Sequence, residues 1–289
     1  MMIIIMALIK SGLLLTAVYF LISFAITFQY GVGGFPNLAL GYIGLLGVFV
    51  TVTLWKSFGG PMAIIIGIIV SGLFSISIQK IIINQLNKGR NENEKRLNVL
   101  YGTFTLLVAF PPIFYKFFKS TAINVKLPTG SQLFNTITVL ELCVIILAFI
   151  FFAIFRLLLK KTVYGHIIQA VTENPKLSMI MGINIQRVYL AVAAISGILA
   201  FTGLLIWGRL FNVQVQTGAE IVIYGFIISV LGGLGNISGA LIASAVVGFA
   251  YALSNFLIGG VFTPIVTFVI FTICIIVFPR GFLRSERTL

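Results

Sequence analysis

Val144-Ile-Ile-Leu-Ala-Phe-Ile-Phe-Phe-Ala-Ile-Phe155 contains no polar side chain, and it lies inside a run from Ile137 to Leu159 whose only charges are Glu141 and Arg156. About 20 such residues in a helix cross a hydrocarbon core of roughly 30 Å. In lipid the backbone must satisfy its own amides and carbonyls, so the spanning structure is a set of helices or a closed barrel. Barrel strands alternate apolar and polar side chains. Neither this stretch nor Ile64 to Ile69 alternates, and the segment reads as a transmembrane helix.

Comparable runs recur on both sides of it: Ser11 to Phe28, Leu38 to Trp55, Met62 to Ile83, Leu97 to Phe114, Val188 to Phe211, Ile221 to Leu231, Leu241 to Ile258 and Pro264 to Phe278. The expected fold is an all-α polytopic bundle of about eight or nine spans, with re-entrant or broken helices, occupying residues 1–289 as one transmembrane domain. The Ile221 segment is too short to cross alone. Met1 to Phe28 carries only Lys10 as a charge and lacks a basic leader region, so it is expected to stay as the first span.

Composition agrees with this reading. Of 289 residues 60% are apolar and 9% charged, against about half and a quarter in an ordinary soluble domain. The formal charge of +13 does not indicate nucleic acid, because the basic residues are scattered through short connections. They do report orientation. Placing the Asn84 to Arg96 loop, the Lys160 to Arg187 loop and the C-terminal tail on one side, with Lys80 and Arg156, collects 13 of the 19 basic residues there. Positive charge accumulates on cytoplasmic loops, so that side and the C-terminus are expected in the cytoplasm of a cell-membrane protein. Lys116, Lys119 and Lys126 fall on the other side.

Enzymatic chemistry has no visible residues. There is no Asp and one His, and no spacing assembles a metal site or a nucleophile with its base. No Gly-Lys pair exists to begin a nucleotide-binding loop, so the chain carries no ATPase of its own, and no cofactor is expected. Gly233-Leu-Gly235 fails as a dinucleotide fingerprint because Ser238 occupies the third glycine position. Cys143 and Cys274 read as small buried hydrophobes. Glu141, about one turn inside a span, is a candidate pathway carboxylate, and Glu220 a candidate contact with a partner.

Pro36-Asn37, Pro111-Pro112 and the glycines from Gly232 to Gly239 interrupt apolar runs. Interrupted helices at membrane depth survive where they are buried in protein or line a cavity, which makes Asn37, Gly41, Gly232, Gly233 and Gly235 candidate walls of a substrate pathway. The other reading, close helix packing through small residues such as Gly235 and Gly239, stays open.

The most punctuated connection runs from Gly165 to Asn184. Asn174 supplies a cap, Pro175 a preset first helical position and Gly182 a left-handed stop after Met181, which predicts a helix of two turns. Leu177, Ile180 and Met181 form its apolar face. Such a face is covered by the protein's own spans, by the lipid interface or by a groove on a soluble partner.

At this loop the sequence resembles the membrane permeases of branched-chain amino acid ABC importers, whose coupling segment reads Ala-x-x-Glu-Asp/Asn-x-x-x-Ala-x-x-x-Gly-Ile-Asn. Ala170, Glu173, Asn174, Gly182, Ile183 and Asn184 match it, while Ser178 replaces the alanine. Val230-Leu-Gly-Gly-Leu-Gly-Asn-Ile-Ser-Gly-Ala240, Phe278-Pro-Arg-Gly281 and, more thinly, Gly34-Phe-Pro-Asn-Leu-Ala-Leu-Gly41 continue the similarity; residues 56 to 136 match poorly. The resemblance implies a permease subunit that works with cytoplasmic ATP-binding subunits, a second and different permease subunit and an extracytoplasmic solute-binding protein. In it the loop at about 160–187, with Ala170, Glu173, Asn174, Pro175, Leu177, Ser178, Met181, Gly182, Ile183 and Asn184, would engage the ATPase. Branched-chain amino acids are the implied substrates. Urea or amides, other amino acids and nucleosides remain alternatives within the family, and a stand-alone secondary transporter remains one outside it.

Overall fold

The computed structural model describes residues 2–86, 92–118, 125, 132–133, 137–260, 262–278 and 281–283. The chain runs through α1 (Met2–Gly33), α2 (Leu40–Phe58) and α3 (Gly60–Ile78). A π-turn (Gln79–Ile83) and a single turn α4 (Asn84–Leu86) follow, then α5 (Glu92–Phe118). Strands β1 (Gln132–Leu133) and β2 (Ile137–Thr138) pair antiparallel over two residues. Beyond them come α6 (Val139–Lys161), α7 (Val163–Glu173), α8 (Pro175–Ile180), α9 (Ile185–Leu210), α10 (Thr217–Gly232), α11 (Ile237–Leu257) and α12 (Thr263–Val277). The expected all-α polytopic bundle is what the chain forms. Among the described residues seven helices are long and apolar enough to cross a membrane, and α10 and α12 are shorter apolar helices of 16 and 15 residues. At 1.5 Å per residue these two reach about 24 and 22 Å.

In a bilayer apolar surface gains little by leaving lipid, so helices are held by close backbone approach and interhelical hydrogen bonds. The interior follows that rule. A Cβ on Gly44 would stand 2.7 Å from the Ala200 carbonyl, and one on Gly197 would meet Ser75 at 2.6 Å. Ser75 Oγ donates to the Ala193 carbonyl at 2.6 Å, and Ser229 Oγ to that of Ser23 at 3.0 Å. Small residues thus knit α2, α3 and α9 together and tie α10 to α1. The middle of the bundle is α1 and α9, wrapped by α2, α3, α10 and α11. The outer helices α5, α6 and α12 expose Tyr101, Phe104, Val108, Ile146, Ile150 and Ile265.

Two expectations are corrected. Helix α5 runs unbroken through Pro111 and Pro112, because Phe110, Phe114 and Phe118 pin this stretch against Tyr42 and Phe49 of α2. Cys143 is exposed on α6 and Cys274 half-buried on α12; where lipid is the solvent, an apolar side chain has no need of the interior. Glu141, the candidate pathway carboxylate, accepts through Oε2 from the Thr138 amide and from Lys10 Nζ, each at 2.8 Å, closing the start of α6 onto α1, and it lines a small cavity with Leu14, Ile206 and Arg209.

Candidate functional site

The loop helix forms from local chemistry. Asn174 Oδ1 accepts from the Leu177 amide at 3.0 Å, and Pro175 needs no amide partner at the first helical position. Ser178, fully buried, donates Oγ to the Asn174 carbonyl at 2.9 Å. Gly182, at φ +83°, closes the far end by donating to the Met179 carbonyl, and the Ile183 amide returns to Ser178. Asn184 then caps α9 by accepting from the Arg187 amide at 3.1 Å. The helix is six residues long, shorter than the two turns expected, because Met181 already has a non-helical ψ and serves as its cap.

One side of α8 is anchored through Ser178, and the other is bare. Leu177, Met179, Ile180 and Met181 are all more than half exposed, Ile180 at 82%. Glu173 and Asn174 are exposed beside them, while Ala170, Pro175 and Ile183 are partly covered.

Behind α8 lies a cleft of about 760 Å³ that the sequence did not announce. Its walls come from the end of α1 (Gly31 to Phe35), from Asn84, from Lys95 and Arg96 of α5, from Thr172 to Lys176, and from Ile185, Gln186 and Tyr189 of α9. A second cleft, about 320 Å³, lies between Arg156 and Lys160 of α6 and Asn236 to Ser238. Basic side chains from distant segments therefore gather at this loop end. Lys88, Arg90, Lys119 and Lys126 lie outside the described residues, as do the basic residues of the tail and Pro279 and Arg280.

The two candidate breaks meet here. Tyr30, Gly31 and Gly34 before α2 share a small cavity with Leu234 and Gly235 after α10, together with Arg96 of α5 and Thr172 of α7. Gly233 and Gly235 both sit at φ +91°, a backbone open to glycine and few others, and the Phe282 amide donates to the Leu231 carbonyl across this turn at 2.7 Å. Gly232 lies at a backbone-to-backbone contact: a Cβ there would stand 2.5 Å from the Ala240 amide nitrogen. Gly41 lies against Gly218 of α10, where a Cβ would overlap the Gly218 carbonyl. Of the five candidate wall residues, Gly235 is the one lining a described cavity.

Asn37 has a different setting. It is buried, accepts from the Ala39 amide at 3.0 Å and donates Nδ2 to Gln29 Oε1 at 3.3 Å. Gln29 Nε2 donates to Gln79 Oε1, and Gln79 Nε2 to Asn84 Oδ1, each at 3.2 Å. Four amides thus form a continuous chain from the α1–α2 break through the π-turn to the wall of the large cleft. Gln29, Gln79 and Asn84 were not singled out in the sequence; an uncharged amide inside or just beyond an apolar run is the signal that marks them.

This arrangement, a polytopic helical bundle in which the α1–α2 and α10–α11 connections converge near an exposed loop helix, defines a multi-pass membrane protein. The chain belongs to the family of branched-chain amino acid transport system / permease components, whose model matches residues 8–278. It is 27% identical over 254 residues to the probable branched-chain amino acid transport permease protein LivH of Methanocaldococcus jannaschii, covering 84% of this chain and 78% of that one. It is 24% identical over 294 residues to the high-affinity branched-chain amino acid transport system permease protein LivH of Escherichia coli K12, covering 94% and 93%. A shorter match, 33% over 117 residues and 37% of this chain, is to the ribose import permease protein RbsC of Haemophilus influenzae. No solved structure matches the chain significantly.

Proposed function

We propose that this chain is the membrane subunit of an ATP-driven importer of branched-chain amino acids. The loop end faces the cytoplasm, α8 seats in a groove on a cytoplasmic ATP-binding subunit, a second permease subunit lies alongside, and a solute-binding protein delivers substrate at the opposite end. The observation that carries this reading is the bare apolar side of α8. A doubly capped helix that exposes Leu177, Met179, Ile180 and Met181 while anchoring Ser178 is built to be gripped. The gathering of basic residues at the same end supports the orientation, and the names of the curated relatives support the substrate.

Mechanically, the exposed face of α8 borders the cleft whose far wall is the α1–α2 break. Closure of the ATP-binding subunits would press α8 toward that wall and displace the two breaks, switching access to the pathway between sides. The test is recovery of partners from native membranes in mild detergent, comparing wild type with Leu177→Asp. An ATP-binding protein recovered with wild type alone, both forms inserting equally, is the expected result. Equal recovery, or uptake undiminished in the variant, would overturn the docking role of α8. A permease that comes down without partners in both samples would instead favour a stand-alone transporter.

A further inference from the structure

The second cleft, about 320 Å³, lies between α6 and the start of α11 at the end of the bundle that carries the loop helix. Helix α6 packs on α1 and α7, and α11 on α1, α10 and α12, so the cleft is the gap left between them. One wall is a single stripe of α6: Phe152, Arg156, Leu159 and Lys160, spaced at i, i+4, i+7 and i+8. The Arg156 guanidinium lies over the Phe152 ring, 6.0 Å from its centroid. The facing wall is Ile237 and Ser238, the first two helical positions of α11. Leu283 adds a further apolar side. Among the described residues no carboxylate lines this cleft.

A basic residue at the end of a span needs no cleft, because it can reach past the hydrocarbon into water and report orientation alone. That accounts for Lys161, the last residue of α6, which lies outside the cleft. It does not account for Arg156. This residue stands five positions before the end of α6, about 7.5 Å along the axis, at the depth where headgroups meet acyl chains when the helix ends at the water surface. Phe152 and Lys160 are about 12 Å apart along the same axis, so the stripe passes from an aromatic ring through one cation to a second. Ile150, Ile154, Leu157 and Leu158 beside it are exposed, and lipid is therefore the medium that borders the cleft. Two cations without an anion, set among Phe152, Leu159, Ile237 and Leu283, match a ligand with one anionic group and an apolar body. Basic pockets between spans are where acidic lipid headgroups are held.

We propose that this cleft binds an anionic phospholipid, its phosphate paired with Arg156 and Lys160 and the first carbons of an acyl chain lying along Phe152. Free phosphate shares the charge but has nothing to place against the apolar walls. The bound lipid bridges α6 to the start of α11, directly after the turn at Gly233 to Asn236. The site depends neither on the transported substrate nor on an ATP-binding subunit.

The full chain, purified in mild detergent, is mixed with phosphatidylglycerol or phosphatidylcholine carrying the same acyl chains, and the lipids it retains are counted by native mass spectrometry. One phosphatidylglycerol should bind at least about tenfold more tightly than phosphatidylcholine, equivalent to about 1.4 kcal/mol. Arg156→Gln and Lys160→Gln should each weaken that molecule about fivefold. Lys161→Gln, which removes the same charge one residue beyond the cleft, should leave it in place, and Arg156→Lys should retain most of the binding. Elution profile and melting temperature without added lipid should be the same for all four variants, so a loss of lipid is read on folded protein. Equal retention of the two lipids would overturn the site. So would an equal loss in Lys161→Gln, which would reduce the effect to net charge. Displacement of phosphatidylglycerol by inorganic phosphate at the same concentration would make free phosphate the ligand and overturn the lipid.

Discussion

Asn174 and Gly182 bracket a helix too short to persist on intrinsic propensity, so its order depends on individual atoms. Asn174→Ala removes the acceptor of the Leu177 amide and should cost α8 about 1 kcal/mol. Hydrogen exchange at Leu177 should then speed up roughly fivefold, with the amides of α9 unaffected. Gly182→Ala places a Cβ in left-handed backbone and should cost about 1–2 kcal/mol, read as faster exchange at Ile183. Both substitutions leave the apolar face chemically intact. Reduced partner recovery in either would therefore report the pose of α8, whereas Leu177→Asp reports its surface.

At the scale of elements, the chain of Asn37, Gln29, Gln79 and Asn84 ties the α1–α2 break to the π-turn after α3. Gln79→Leu strands the amide of Gln29 and the carbonyl of Asn84, and should lower stability by about 1–3 kcal/mol per group left unpaired. Adding Gln29→Leu should cost less than the sum of the two single changes, because these side chains share one network; melting in detergent measures both. The loop helix could be read from sequence because its cap and its closing glycine each act on a backbone group three residues away. The spans could be read because lipid demands apolar runs. The amide chain could not, since Gln29 and Gln79 are neighbours only once α1 and α3 are folded. The partner of Glu141 was hidden for the same reason: Lys10 lies on another helix. Pro111 and Pro112 misled because ring packing from α2, invisible locally, keeps α5 continuous where two amides are missing.

For the whole molecule, the two ends differ in kind. One end gathers α7, α8, the two clefts and both breaks; the other holds the Lys10–Glu141 pair and, just below it, the ring cluster around Tyr19. In the proposed orientation, Ile180→Cys should react with a membrane-impermeant maleimide in inverted vesicles and not in intact cells. Because Cys143 and Cys274 sit on the outer helices, replacing both with Ala should leave uptake unchanged and give a clean background for that labelling. Labelling of Ile180→Cys from the outside of intact cells would reverse the topology.

The convergence of the breaks has a mechanical consequence. A continuous helix resists bending because each added degree strains a ladder of hydrogen bonds, whereas residues 34–39 and 233–236 have no such ladder. With both soft joints side by side at one end and interlocked rings toward the other, the bundle is unevenly stiff. A load applied at α8 is taken up first within a few ångströms of where it lands, as in a pair of jaws with the pivot set deep. On the proposed reading, movement at the mouth would bend these joints before it reached the remote half of the protein.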